Sequence, residues 1–402
     1  MTALIPLSIL LASLSFIRMK SMYKNLFPFL LVASGIYYSV FGFLYWTIVE
    51  QGYFVGFNWS ASLLTSATLF AFAIFLTCVS YYFFLTRKNF SYEFNLGRRV
   101  ESAALYPFLI LGFFSCLFVV LNRSGRGAFF LIAYQFSDLA IAALLYASAM
   151  RPGSKFVRIL ILIFFAYCLF VGFRYKIILL AFPLWILGLV RSKGGRRLLL
   201  STAVPLGIIA LFTIITITRV KFSGLELDQA KNADASQLIY GLLAETNILF
   251  GVSSITTYVL PHGDLIYLSP IRDALLELLP RFLFPDRETG AQIFAVLEGL
   301  QTDEGYNSAT TYPFFGEYLL MFGYPGYFIG CLFFGYVVAK LVGKISKGAS
   351  RDVVWTGCAL IAVLFGYYYV SRGYFPQFFK SVVFILIPFF VMARGLGLRY
   401  QK

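Results

Sequence analysis

GYNSATTYPFFGEYLLMFGYPGYFIGCLFFGYVVAKL, residues 305–341, decides how this chain is read. From residue 313 to 339 the stretch is apolar, with one carboxylate, Glu317, about a turn inside it and Lys340 closing it. Crossing about 30 Å of hydrocarbon takes about 20 such residues in a helix. The stretch therefore reads as a transmembrane helix that follows a polar loop and carries one acid near its start.

The rest of the chain has the same character. Of 402 residues 60% are hydrophobic and 13% charged, and mean hydropathy is +0.80. A soluble domain has about 45–50% apolar and about 25% charged residues. Composition thus excludes a soluble enzyme, a disordered chain and a disulfide-rich secreted scaffold. The expected fold is an all-α polytopic membrane protein with eleven transmembrane helices, at 2–17, 27–49, 61–86, 102–121, 127–150, 156–172, 174–190, 198–218, 313–339, 353–370 and 374–393. Three parts follow: helices one to eight in 1–218, a large external loop at 219–312, and helices nine to eleven in 313–402.

Charge orients these segments. The first run has no basic residue ahead of it and Arg18, Lys20 and Lys24 behind it. That is the reverse of a secretory signal, so a retained helix with its N-terminus outside is expected. Alternate loops then hold 21 of the 33 cations against Glu93, Glu101 and Asp352, which places those loops and the C-terminus in the cytoplasm. Most of the net charge of +15 is therefore orientation signal, and no nucleic-acid partner is expected. Residues 238–260 are nearly apolar enough to span, but a crossing there would put the last two basic clusters outside. They read as an interfacial or partly re-entrant helix, and 269–284 as a second, amphipathic surface helix. Cys78, Cys116, Cys168, Cys331 and Cys358 all fall inside expected spans, so none staples the loop.

Several cations lie against this bias. Arg123 and Arg126 in NRSGRGA, Arg174 and Lys176 in GFRYK, and Arg372 in SRGYF occupy short external turns rich in glycine. Two readings stand: they bind the phosphates of an anionic ligand through guanidinium forks and helix N-termini, or they snorkel to lipid phosphates or pair with the acidic external loop. Within the spans, Asp138 and Lys380 are functional candidates by position, although Asp138 beside Gln135 and Ser137 also suits a polar helix contact. Glu317 is the first candidate general base, with pairing to a stray arginine as its structural alternative. His262, the single histidine, is the second. Tyr240, Tyr258, Tyr267, Tyr306 and Tyr312 lie in the external loop, where they suit an interfacial belt or, for a glycan ligand, stacking on its sugars.

The stretches LLPRFLFPDRETG and SATTYPFFGEYLLMFGYPG together resemble Wzy-type O-antigen polymerases. The resemblance rests on Pro280 and Arg281, Pro285 with Arg287, the run 308–311, Gly316 and Glu317, and Phe322, Gly323 and Gly326; AETN at 244–247 and GFRYKIILL fit more loosely. It covers the external loop well and the remainder by topology. It implies a metal-independent glycosyltransferase of GT-C-like fold in the bacterial inner membrane. Such an enzyme joins undecaprenyl-diphosphate-linked oligosaccharide repeat units at the outer face, without a cofactor and commonly with a chain-length regulator. Arg123, Arg126, Arg174, Lys176, Arg281 and Arg372 would then bind the diphosphates. An O-antigen ligase, which would use His262 as base, and a lipid-linked oligosaccharide flippase are the alternatives.

Overall fold

The computed structural model describes residues 4–15, 22–44, 59–86, 105–122, 128–203, 207, 219–220, 224–225, 248–263, 265–279, 301–302, 305–306, 312–346 and 350–395. These are nearly all helical, apart from two short antiparallel ladders, Arg219–Val220 with Gly224–Leu225 and Gln301–Thr302 with Gly305–Tyr306. Six helices are long and apolar enough to cross a membrane: Tyr23–Leu44, Leu63–Leu85, Ile132–Met150, Phe314–Ile345, Arg351–Ser371 and Phe375–Ala393. Leu4–Ser15 and Tyr106–Leu121 are shorter apolar helices. Lys155–Val171 and Arg174–Arg191 are helices at the sixth and seventh expected segments.

The chain forms two compact units, neither continuous in sequence. One comprises residues 1–89, 243–341 and 364–380; the other comprises 90–242, 342–363 and 381–402.

In the first unit the decisive stretch departs from the expected straight span. Phe322 (φ −142°, ψ 18°) and Gly323 (φ 64°, ψ −152°) break the helix, and the two parts fold back on each other. Phe315 meets Tyr327 edge to face with centroids 5.7 Å apart, and Phe314 lies tilted against Phe334 at 4.7 Å. A straight helix would hold residues 314 and 334 about 30 Å apart. The element is therefore a helical hairpin with a short leg, 314–321, and a long leg, 324–345.

Its turn chemistry is in the sequence Gly-Tyr-Pro-Gly. The Gly323 conformation is essentially closed to residues with a Cβ. Pro325 falls in the first turn of the long leg, where no intrahelical partner exists for its missing N–H. Gly326 and Gly330 let the legs touch: a Cβ at 326 would lie 2.7 Å from the Tyr318 carbonyl, and one at 330 would land on the Tyr318 ring. The long leg alone reaches about 33 Å, enough to span.

The long leg also packs on Trp59–Thr86. Gly335 sits directly on the Thr77 carbonyl, Ser80 Oγ donates to the Leu332 carbonyl at 2.5 Å, and Tyr327 Oη donates to that of Leu69 at 2.6 Å. Small residues and hydroxyls of this kind bring apolar helices together where no hydrophobic effect can. The π-helical turn Leu364–Tyr368 serves the same end, since Ser34 Oγ donates to the Gly366 carbonyl at 2.9 Å.

Of the segment 238–260, expected to be interfacial or partly re-entrant, the structure describes residues 248–260, and its first turns, 248–255, lie inside the unit. The described side chains of those first turns are buried, and Ile248–Ser254 packs on Trp59–Thr86.

The second unit is organised around Leu139–Met150, whose side chains are buried almost throughout. Tyr106–Leu121 crosses it at Gly112, where a Cβ would lie 2.6 Å from the Ala140 amide nitrogen. Arg191 closes its C-terminal end: Nη1 donates to the Ser148 carbonyl at 3.1 Å and Nη2 to that of Ala149 at 2.9 Å. The same guanidinium bonds Asp352 Oδ2 at 2.6 Å. One cation thus satisfies two terminal carbonyls, a place where a positive charge also suits the helix dipole. Arg191→Ala should lower stability by about 2 kcal/mol, read as an earlier thermal unfolding midpoint in detergent. Arg191→Lys should recover only part of this, because an ammonium lacks the fork.

Candidate functional site

The short leg of the hairpin carries Glu317, and its side chain is 0% exposed. A buried carboxylate needs donors, and here they come from the break between the last two candidate spans. The Phe375 amide lies 3.0 Å from Oε1 and 3.1 Å from Oε2, and Tyr369 Oη donates to Oε2 at 3.1 Å. Phe375 opens the helix Phe375–Ser381, so Glu317 caps a helix N-terminus from another part of the chain. A negative charge is favoured there by both the orphan amide and the helix dipole.

The turn that this cap holds runs through Arg372 and Gly373. Gly373 has φ +50°, and a Cβ on it would overlap the Tyr312 carbonyl. Glycine is required twice over, by conformation and by contact. On the C-terminal side, Tyr374 Oη donates to Glu277 Oε1 at 3.4 Å and Lys380 pairs with Glu277 Oε2. The turn is therefore held from two directions, by Glu317 and by the helix Ser269–Glu277. Residues from three distant stretches of sequence meet at this point.

Arg372 occupies the last position of the helix Tyr369–Arg372, immediately before the held turn; its side chain lies outside the described residues. The structure thus brings the backbone of one expected phosphate ligand to the turn that Glu317 caps. The described donors to Glu317 are an amide and a phenol, in place of the arginine that the structural alternative expected.

Lys176 requires a correction. Expected in an external turn as a phosphate ligand, it is 0% exposed. Its ammonium lies 2.8 Å from Asp138 Oδ1, 2.6 Å from Ser137 Oγ and 2.9 Å from the Tyr134 carbonyl, and 4.0 Å from the centre of the Tyr134 ring. The cause is a break in the expected fifth span. At 137–138 the helix tightens, and the Asp138 amide donates to the Gln135 carbonyl. The Tyr134 carbonyl is thereby released to accept from Lys176 and, at 2.7 Å, from Ser137 Oγ. Two hydrogen bonds and the ion pair commit the buried ammonium to groups within the protein.

The other expected residues are placed as follows. Arg174 begins the helix Arg174–Arg191 and His262 ends Leu260–His262, but both side chains lie outside the described residues. Arg123, Arg126 and Arg281 lie wholly outside them. Of the tyrosines, Tyr267 is exposed, while Tyr312 is buried and cannot stack on a sugar. The side chains of Tyr258 and Tyr306, and Tyr240 entirely, are outside the described residues.

Sequence reading missed Tyr369, Tyr374 and the Phe375 amide. The available signal was the spacing YVSRGYF, in which glycine must end one helix and expose the first amides of the next. Among the described residues no three His, Cys, Asp or Glu side chains form a group able to hold a metal ion.

The fold defines an all-α, multi-pass integral membrane protein. Comparison with known protein families, with characterised proteins and with solved structures gives no match.

Proposed function

We propose that the chain is a glycosyltransferase that polymerises undecaprenyl-diphosphate-linked oligosaccharide repeat units at the outer face of the bacterial inner membrane. The observation that carries this reading is the convergence of Glu317, from the GE pair of the family-like stretch, on the turn that bears Arg372. In this reading all eleven apolar segments cross, the N-terminus is periplasmic, the C-terminus is cytoplasmic and the fold is GT-C-like. Residues 219–312 form the periplasmic loop between two transmembrane parts.

The chemistry follows from charge. Breaking the sugar–diphosphate bond of the donor leaves negative charge on the departing diphosphate, and the acceptor hydroxyl loses a proton as it forms the new glycosidic bond. Arg123, Arg126, Arg174, Arg281 and Arg372 stabilise the leaving diphosphate; Lys176, already committed to Asp138, does not. A general base, Glu317 or His262, takes the acceptor proton, a contribution of about 10²–10⁴-fold. The products are a lengthened lipid-linked glycan and free undecaprenyl diphosphate. A chain-length regulator is the expected protein partner.

Purified protein in vesicles with lipid-linked repeat units should produce a ladder of longer glycans. Arg372→Ala and Arg174→Ala should slow it by about 10²-fold, the usual effect of removing one group that stabilises developing charge, with thermal unfolding unchanged. Movement of the lipid-linked unit across the bilayer without lengthening would replace this reading with a flippase. Full activity in His262→Ala would remove the ligase-type base and leave Glu317 as the remaining candidate.

A further inference from the structure

The helix Ser269–Glu277 is amphipathic, and its orientation is reversed from that of a helix bordering water. Such a helix normally turns its apolar stripe to the core and its charges to solvent. Here Asp273 is 2% exposed, and Glu277 is turned inward to Tyr374 and Lys380. The outward face is instead Leu268, Ile271, Leu275, Leu278 and Leu279, all exposed, with Leu275 at 60%. Arg272 flanks this face, exposed and anchored to Asp273 Oδ1 at 3.1 Å. Burying the acids and presenting the leucines is favourable only if the surroundings of the helix are themselves apolar.

The neighbouring elements supply those surroundings. The Ile266 amide donates to the Leu320 carbonyl at 2.9 Å, and the exposed ring of Tyr267 meets exposed Phe322 at the hairpin turn, with centroids 6.4 Å apart. From there the outer surface of the long leg continues through Tyr324, Phe328, Ile329 and Phe333, all exposed. The leucine face is thus continuous with the outer side of a helix long and apolar enough to cross the membrane.

We infer that Ser269–Glu277 and the hairpin turn form a membrane-embedded collar. The leucine face lies in the acyl chains at the bilayer boundary, and Arg272 reaches the lipid phosphates. An interfacial helix of this kind sinks about 5–10 Å below the headgroups. The inference rests on the membrane character of the chain and is independent of the proposed catalytic activity.

Nitroxide labels on Leu275→Cys and Leu279→Cys test it in vesicles of phosphatidylethanolamine and phosphatidylglycerol. The five native cysteines are buried, which directs labelling to the introduced thiol. Ile329→Cys on the long leg is the lipid reference, and exposed Arg196→Cys is the water reference. Dissolved oxygen should relax the labels at 275 and 279 more than the water-soluble nickel reagent NiEDDA does, in the same ratio as at 329. A ratio matching that at 196 would overturn the inference, because the face would then lie in water. Low accessibility to both reagents would also overturn it, because protein would then cover the face. Spin–spin broadening that disappears on dilution with unlabelled protein would identify that cover as a second copy. As a second readout, bimane at Ile271→Cys should be quenched by acyl-brominated lipids, and absence of quenching counts against insertion.

Discussion

Lys176→Met should be among the most damaging single substitutions in the chain, and a second mutation should rescue it. The ammonium is buried against Asp138, Ser137 and the Tyr134 carbonyl, so its removal leaves a carboxylate without its counter-charge in an apolar interior. Breaking a buried pair from one side costs about 3–5 kcal/mol. Asp138→Leu alone should cost a similar amount, since it strands the ammonium. The double variant should recover most of the loss, because replacing both charges by apolar groups of similar volume is often close to neutral. Two hydrogen bonds favour that recovery: Tyr167 Oη still donates to Ser137 Oγ, and Ser137 Oγ still donates to the Tyr134 carbonyl. Thermal unfolding of the three variants in detergent gives the coupling energy directly. Additive losses would show that the two charges do not act as a pair.

That pair also shows where sequence reading stops. Asp138 stood out because an acid in an apolar run is anomalous whatever the fold. Lys176 was misplaced because hydropathy gives depth along the chain and not the break at 137–138 that opens a polar recess for the first turn of the neighbouring helix. The hairpin was hidden differently. Gly-Tyr-Pro-Gly at 323–326 is a helix stop followed by a helix start, but apolar residues on both sides read as one uninterrupted span. For Ser269–Glu277 the spacing set Asp273 and Glu277 apart from the leucines, but Arg272 borders the leucine face, and the face turned outward depended on Tyr374 and Lys380, about a hundred residues away. Long apolar elements and odd charges were therefore legible. The breaks, and the tertiary partners those breaks recruit, were not.

The largest effect on activity is expected at Glu317, where two roles predict opposite outcomes for a single isosteric change. As the cap on Phe375, the side chain needs an acceptor for an amide and a partner for the Tyr369 hydroxyl. Glutamine keeps the acceptor for the amide in its carbonyl, and its NH₂ group faces the phenol oxygen, so the one loss is the acceptor for the Tyr369 proton. Glu317→Gln should therefore fold normally and unfold within about 1 kcal/mol of the parent, whereas Glu317→Ala leaves two buried groups unmet at about 1–3 kcal/mol each. If Glu317 is also the base, Glu317→Gln should lose about 10²–10⁴-fold in glycan lengthening, despite its intact fold. If the carboxylate serves only to hold the turn, glutamine should keep the activity, and only alanine should lower it, in parallel with stability. Gly373→Ala separates the two further, because it disturbs the same turn without touching the carboxylate. Forcing a Cβ onto the Tyr312 carbonyl at φ +50° must shift the backbone before Arg372 can take its position. A turn-holding role predicts that Gly373→Ala and Glu317→Ala lose activity together. A base role predicts that Glu317→Gln falls well below Gly373→Ala.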